Sequence, residues 1–254
     1  MRCNVASIPK KVQDRLVAGI KKFQPIVADA KTRDVAEADT VTIVTELLAE
    51  VFGYDKFKEI TSEFPVKRTS CDIATRIDDK LQTLFEVKAI GHELKDTHVR
   101  QAVDYAANQG IDWVVLTNGQ YWRAYSVECK GQIEQELVVD IDFLSLDHKA
   151  DEDLGFLYLL CKEGWAKSAI DEYKTQREAL SRFFIGATIL SDPVLAAIRK
   201  ELKHVSPDVH ITADDIKSVI KKEVIKRDVL EGEKAIAAEK TIAKAARAAL
   251  KATT

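Results

Sequence analysis

Apolar residues recur every three or four positions in two stretches near the start of the chain. Residues 8–22 carry a weak helical stripe. Residues 35–52 carry a stronger one through Val41, Val44, Leu48 and Val51, with Gly53 placed as a C-terminal stop. The period then shortens to two. Residues 63–68 form a poor strand, because Pro65 interrupts it. Residues 71–77 and 81–89 alternate, with Asp78-Asp79-Lys80 as the turn between them. Residues 111–117 are almost continuously apolar, as a buried strand should be, and Asn118-Gly119 turns the chain into a returning strand at 121–127. Between these strand pairs, Asp96-Thr97 caps a helix running to about Asn108.

Helix, strands, helix, strands predicts an α/β core, a mixed β-sheet flanked by helices. After residue 150 the helical period prevails and about five helices are expected, making an all-helical C-terminal region. The chain therefore divides into domains at 1–150 and 151–254. Pro193 and Pro207 sit near helix starts, and Thr212 caps a helix at 213–230. The final stretch, 233–251, is rich in Ala, Lys and Glu with few large apolar residues, which predicts an exposed or partner-bound helix.

Composition narrows the class. Hydrophobic residues make up 46% and charged residues 31% of the 254, enough for a real core. The formal net charge of −3 supplies no global basic field, so any contact with nucleic acid needs a local patch. Cys3, Cys71, Cys129 and Cys161 are scattered without a CxxC pair and read as reduced thiols in a cytoplasmic protein. No apolar run is long enough to cross a bilayer, so no membrane partner is expected. The five histidines are dispersed, and His98 alone lies near residues of interest.

The chemistry concentrates in Glu86-Val87-Lys88. On a strand, Glu86 and Lys88 share one face while Phe85, Val87 and Ala89 take the other. The tripeptide alone is weak evidence, since the chain holds several like it, Glu93-Leu94-Lys95 among them. Hairpin register adds weight. A three-residue loop at 78–80 pairs Ile77 with Leu81 and sets Asp72 opposite Glu86, whereas a two-residue turn sets it opposite Phe85. Paired carboxylates repel unless a cation or proton lies between them, and hard oxygen donors suit Mg²⁺ or Mn²⁺.

Asp72, Glu86-Val87-Lys88, Gln101 and Tyr105, then Leu116-Thr117-Asn118-Gly119 with Tyr121-Trp122-Arg123, appear in an order and spacing that resemble the N-terminal nuclease domain of type I restriction enzyme R subunits. That family belongs to the PD-(D/E)XK, restriction-endonuclease-like group. The resemblance covers roughly residues 36–145. It implies a Mg²⁺-dependent endonuclease acting on DNA, with Asp72 and Glu86 as metal ligands, Lys88 as the catalytic lysine, and Gln101 and Tyr105 beside them. It also implies a glutamate on the first helix of the domain. Glu37 lies on the stripe of Val44, Leu48 and Val51 while Glu46 lies nearly opposite, which selects Glu37. The expected metal set is thus Asp72, Glu86, Val87 and Glu37. The sequence departs from the family in having Cys71 where a proline often stands. It also carries no GxxxxGK[ST] loop, so neither ATP nor translocation is expected. The rival expectation is a silent nuclease-fold scaffold that binds nucleic acid or a protein, with a protein partner or self-association through the C-terminal helices.

Overall fold

A computed structural model describes residues 8–66, 69–129 and 131–252. Cys3 and the end of the first expected strand, Lys67-Arg68, lie outside the described residues. By internal packing the chain forms two compact units, the first running to Tyr173 and the second starting at Lys174.

The first unit opens with α1 (Lys10–Arg33) and α2 (Glu37–Glu50). α1 does not stop at Lys22 as its weak stripe suggested. Leu16, Ile20, Phe23, Val27 and Ala30 keep one face buried on both sides of Pro25, which itself is exposed. Burial of that stripe offsets the roughly 3 kcal/mol an internal proline costs a helix. α2 follows the expected spacing, and Gly53 adopts φ +85° just beyond it.

Six strands form one sheet in sequence order: β1 (Ile60–Val66), β2 (Thr69–Ile77), β3 (Lys80–Val87), β4 (Trp113–Thr117), β5 (Tyr121–Cys129) and β6 (Ile133–Asp142). All neighbours are antiparallel except β3 and β4, whose parallel pairing requires the crossover through α3 (Arg100–Gln109). Pro65 is tolerated because β1 is an edge strand. The other edge, β6, was missed in the sequence. Its first half is a charged run around Glu134 and Glu136, and only Val138, Val139 and Ile141 are buried. Asp96 does not cap α3. A 3₁₀ turn, Asp96–Val99, precedes that helix, and the Asp96 carboxylate accepts a hydrogen bond from the Tyr125 hydroxyl at 2.8 Å.

Two apolar cores form around the sheet. The larger gathers Leu16, Leu48, Ile73, Phe85, Val87 and Trp122 with Leu157, Tyr158, Trp165 and Ile170. The smaller gathers Ala74, Leu84, Val103, Ala106 and Leu116, residues of the sheet and α3. Residues 151–173 therefore belong to the first unit: α4 (Asp151–Leu160), α5 (Lys162–Ala166) and the first half of α6 (Ala169–Ala179) complete its core. The boundary drawn near residue 150 follows the change of period, whereas packing moves it to Tyr173.

The second unit holds α7 (Arg182–Ile189), α8 (Asp192–Val205), α9 (Ala213–Val219), a π-helical segment Ile220–Val224, α10 (Arg227–Leu230) and α11 (Glu233–Ala252). From residue 151 onward the described residues form eight α-helices where the spacing implied about five. Thr212 does cap α9, exchanging hydrogen bonds with Asp215, but the helix breaks at Ile225 instead of continuing to Leu230. Pro193 sits in the first turn of α8, while Pro207 follows the end of α8 and starts no helix. α11 packs against α7 and, among its described side chains, buries Ala235 and Ala238.

Candidate functional site

The β2–β3 hairpin determines whether Asp72 and Glu86 can meet. Its turn has two residues, not three: Ile77 pairs with Lys80, and Asp78 and Asp79 take φ of 49° and 62°. That turn alone would carry Asp72 opposite Phe85. A β-bulge intervenes, because Arg76 pairs with Leu81 and Thr75 with Thr83, leaving Gln82 as an extra residue. The ladder then runs to Ile73↔Phe85, and its register continued by one step sets Asp72 level with Glu86. Bulge and short turn cancel.

The ladder gives way at that level. Pairing between β1 and β2 goes from Ser62↔Ile73 to Phe64↔Cys71, skipping Glu63, which adopts φ +50°. Asp72 instead uses its side chain, and Oδ2 accepts the Val87 main-chain N–H at 2.6 Å. Asp72 and Glu86 are both half-buried. Burial pushes the Asp72 carboxyl above its ordinary range, outweighing the Val87 N–H and Lys88. Burial does the same for Glu86, against the Lys88 hydrogen bond, and the Asp72 charge adds to the rise.

Lys88 closes the group. Its Nζ lies 2.8 Å from Glu86 Oε1 and 3.7 Å from Glu37 Oε2. Burial would lower its pKa, but the hydrogen bond to Glu86 and the charges of Glu86, Glu37 and Asp72 raise it overall, so Lys88 stays cationic. Glu37, the first residue of α2, reaches this group with a side chain 49% exposed. The buried stripe that selected it fades before the helix start, and the partner it finds is Lys88. Glu46 pairs with Lys56 elsewhere.

Segment 88–92 is fixed by groups the sequence left unread. The Lys88 N–H donates to the Thr117 carbonyl at 2.9 Å. Thr40 Oγ1 accepts the Ile90 N–H at 3.1 Å, and Asn118 Nδ2 donates to the Ile90 and His92 carbonyls at 3.1 and 3.0 Å. Asn118 also accepts the Tyr121 N–H through Oδ1, and it is 2% exposed. Read as a turn residue, it is equally a tie from the end of β4 to the chain leaving β3. A buried Thr or Asn has to find partners, but here those partners are main-chain atoms that leave no mark in sequence.

Gln101 and Tyr105 stand on α3, which packs on β3 and β4. Gln101 is exposed, and Tyr105 is half-buried with its ring edge-on to Phe64 at 6.1 Å. Neither forms a hydrogen bond to Asp72, Glu86 or Lys88 among the described residues. His98 takes the Lys95 N–H through Nδ1 and belongs to the turn before α3. Cys71 and Cys161 are buried thiols pushed up to about 12, chiefly by desolvation, and stay protonated.

The donor chemistry suits a hard divalent cation. Two half-buried carboxylates lie at one level of the hairpin, each raised chiefly by burial, with Lys88 paired to Glu86 beside them. No group of three His, Cys, Asp or Glu side chains able to hold a metal occurs among the described residues. Mg²⁺ needs no such cage, since it is commonly held by one or two carboxylates with water and substrate oxygens completing the shell. Among the described residues no helix is long and apolar enough to cross a membrane.

No curated protein and no solved structure matches this chain. Residues 42–141 match the family model described as type I restriction enzyme R protein N terminus (HSDR_N). Glu37 and the C-terminal helices lie outside that match, while Asp72, Glu86 and Lys88 lie within it. The segment bearing nearly the whole sheet thus matches the type I restriction enzyme R N-terminal family, the one its motifs resemble.

Proposed function

We propose that the first unit is a PD-(D/E)XK-type endonuclease that hydrolyses DNA phosphodiester bonds with Mg²⁺ or Mn²⁺. The observation that carries this reading is the register that sets Asp72 level with Glu86 across β2 and β3, with Lys88 just beyond β3 reaching Glu86 at 2.8 Å. The match to a restriction-enzyme domain over the same residues supports it.

In this reading Asp72, Glu86 and the main-chain oxygen of Val87 would hold the cation, which would supply stabilisation for charge developing on the phosphoryl oxygens. Val87 is the natural third donor because Asp72 already holds its N–H. Lys88 is cationic in this state, which favours orienting water and phosphate over removing a proton. Glu37 is a second anion within reach of Lys88, and its exposed position favours holding that lysine over direct ligation. Gln101 and Tyr105, on the helix packed against β3, are the side chains from which substrate contact is expected.

Metal-dependent nicking of supercoiled plasmid tests the proposal. Glu86→Ala and Lys88→Ala should each lower the rate at least about a hundredfold. Equal nicking by wild type and both variants marks a contaminant and rejects the assignment. A saturable Mn²⁺ isotherm that disappears in Asp72→Ala is expected alongside. Wild-type protein that takes up no Mn²⁺ would leave the silent scaffold as the better reading.

A further inference from the structure

The two units differ in charge. Residues 174–254 carry 16 Lys and Arg against 11 Asp and Glu, while the remainder of the chain is strongly acidic. Within the second unit the basic excess collects at the end. From Lys240 onward the sequence has no acidic residue, and Lys240, Lys244, Arg247 and Lys251 follow one another at spacings of four, three and four. That is helical spacing, and it lays Lys240, Lys244 and Arg247 along one stripe of α11.

Ala235 and Ala238 are buried, with Ile242 partly covered, on the opposite face of the same helix. At about 100° per residue the basic stripe points directly away from this buried face. Lys240, Lys244 and Arg247 are all exposed, and none forms an ion pair among the described residues. Two arginines elsewhere in the unit are paired: Arg182 with Asp228 and Arg227 with Glu231, each at 2.6 Å. A helix surface meant only to be soluble usually intersperses both signs. This one carries basic residues alone from Lys240 to Arg247.

We propose that this outer face of α11 binds the phosphate backbone of double-stranded DNA. It supplies the local positive field that the acidic first unit lacks, and so deepens the nuclease reading on which it rests. From Lys240 to Arg247 the helix rises about 10 Å, a length over which duplex DNA presents about six phosphate charges. Three unneutralised cations fit such a surface without any base contact, so binding is independent of sequence.

The test is fluorescence anisotropy of the full chain on a labelled 20-base-pair duplex across a salt series, in EDTA so that no strand is cut. The variant Lys240→Gln/Lys244→Gln/Arg247→Gln should lower the slope of log K against log salt by about 2.7, at about 0.9 per phosphate contact. Its affinity at 0.1 M salt should fall at least about tenfold. The variant Lys11→Gln/Lys21→Gln/Lys31→Gln removes the same charge from exposed positions on α1 and should leave the slope unchanged. Equal effects from both triple variants would reduce the finding to net charge and overturn the proposal. So would a wild-type chain that ignores the duplex, or one that binds only RNA. Because cleavage plays no part, binding that persists in Glu86→Ala keeps this inference separate from the fate of the nuclease site.

Discussion

Two carboxylates in this protein are perturbed in opposite directions, and their response to acid separates a strained site from a structural tie. Asp72 is raised by burial, so its charged form is disfavoured in the fold. The penalty is complete at neutral pH and is relieved as pH falls through the folded value. Asp72→Asn should therefore raise the melting temperature of metal-free protein at pH 7, with the gain shrinking toward pH 4. Glu163 is the converse case. Burial opposes its ionisation, but hydrogen bonds from Arg15 at 2.8 and 2.6 Å prevail and lower its pKa below 4.5. Its contribution is complete above the ordinary carboxylate value and is lost as pH falls through the folded one. Glu163→Gln should destabilise at pH 7, and that loss should also vanish in acid. Thermal melts of both variants at two pH values check the pair of signs. A stabilising Glu163→Gln, or a neutral Asp72→Asn, would contradict the electrostatics described for that residue.

At the scale of elements, the segment leaving β3 is fixed by side chains from α2 and from the end of β4. Asn118 bridges two main-chain carbonyls and one N–H from inside the protein. Asn118→Ala should cost about 2–4 kcal/mol, roughly 1 kcal/mol per hydrogen bond plus the penalty for buried groups left unpaired. Denaturant midpoints at constant m-value measure it. The same variant should impair nicking, since Lys88 sits two residues before Ile90. None of this was legible in sequence, where Asn118-Gly119 carries a strong turn signal and its long-range partners are main-chain atoms. Legibility followed periodicity. β2 to β5 and α2 were readable because apolar positions repeat at period two or 3.6. β6 was hidden by its charged, edge-facing half. The hairpin register was hidden more deeply, since Gln82 looks like any strand residue and only pairing reveals it as a bulge. Asp72, Glu86 and Lys88 could be nominated from alternation. Their alignment depends on a two-residue turn and a bulge that compensate each other, and alternation carries no sign of either.

At the scale of the molecule, a change of sequence period and a change of packing do not fall at the same place. Helical spacing begins near residue 150, yet α4 to α6 are part of the core beneath the sheet. Leu154, Leu157, Tyr158, Trp165 and Ile170 are 4% exposed or less. Trp165 meets Trp113 of β4 edge-on at 5.7 Å, and Trp113 Nε1 donates to Asp171 at 3.0 Å. Five such side chains contribute about 7–15 kcal/mol of burial at 1.5–3 kcal/mol each. That equals the whole net stability of an ordinary domain, about 5–15 kcal/mol. A fragment ending at residue 150 should therefore fail to fold, although it retains every strand and the Asp72, Glu86 and Lys88 group. A fragment ending at residue 179, after α6, should melt cooperatively. Circular dichroism melts of the two fragments decide between packing and period as the marker of the boundary. Cooperative unfolding of the shorter piece would show that α4 to α6 decorate the sheet unit and do not complete it.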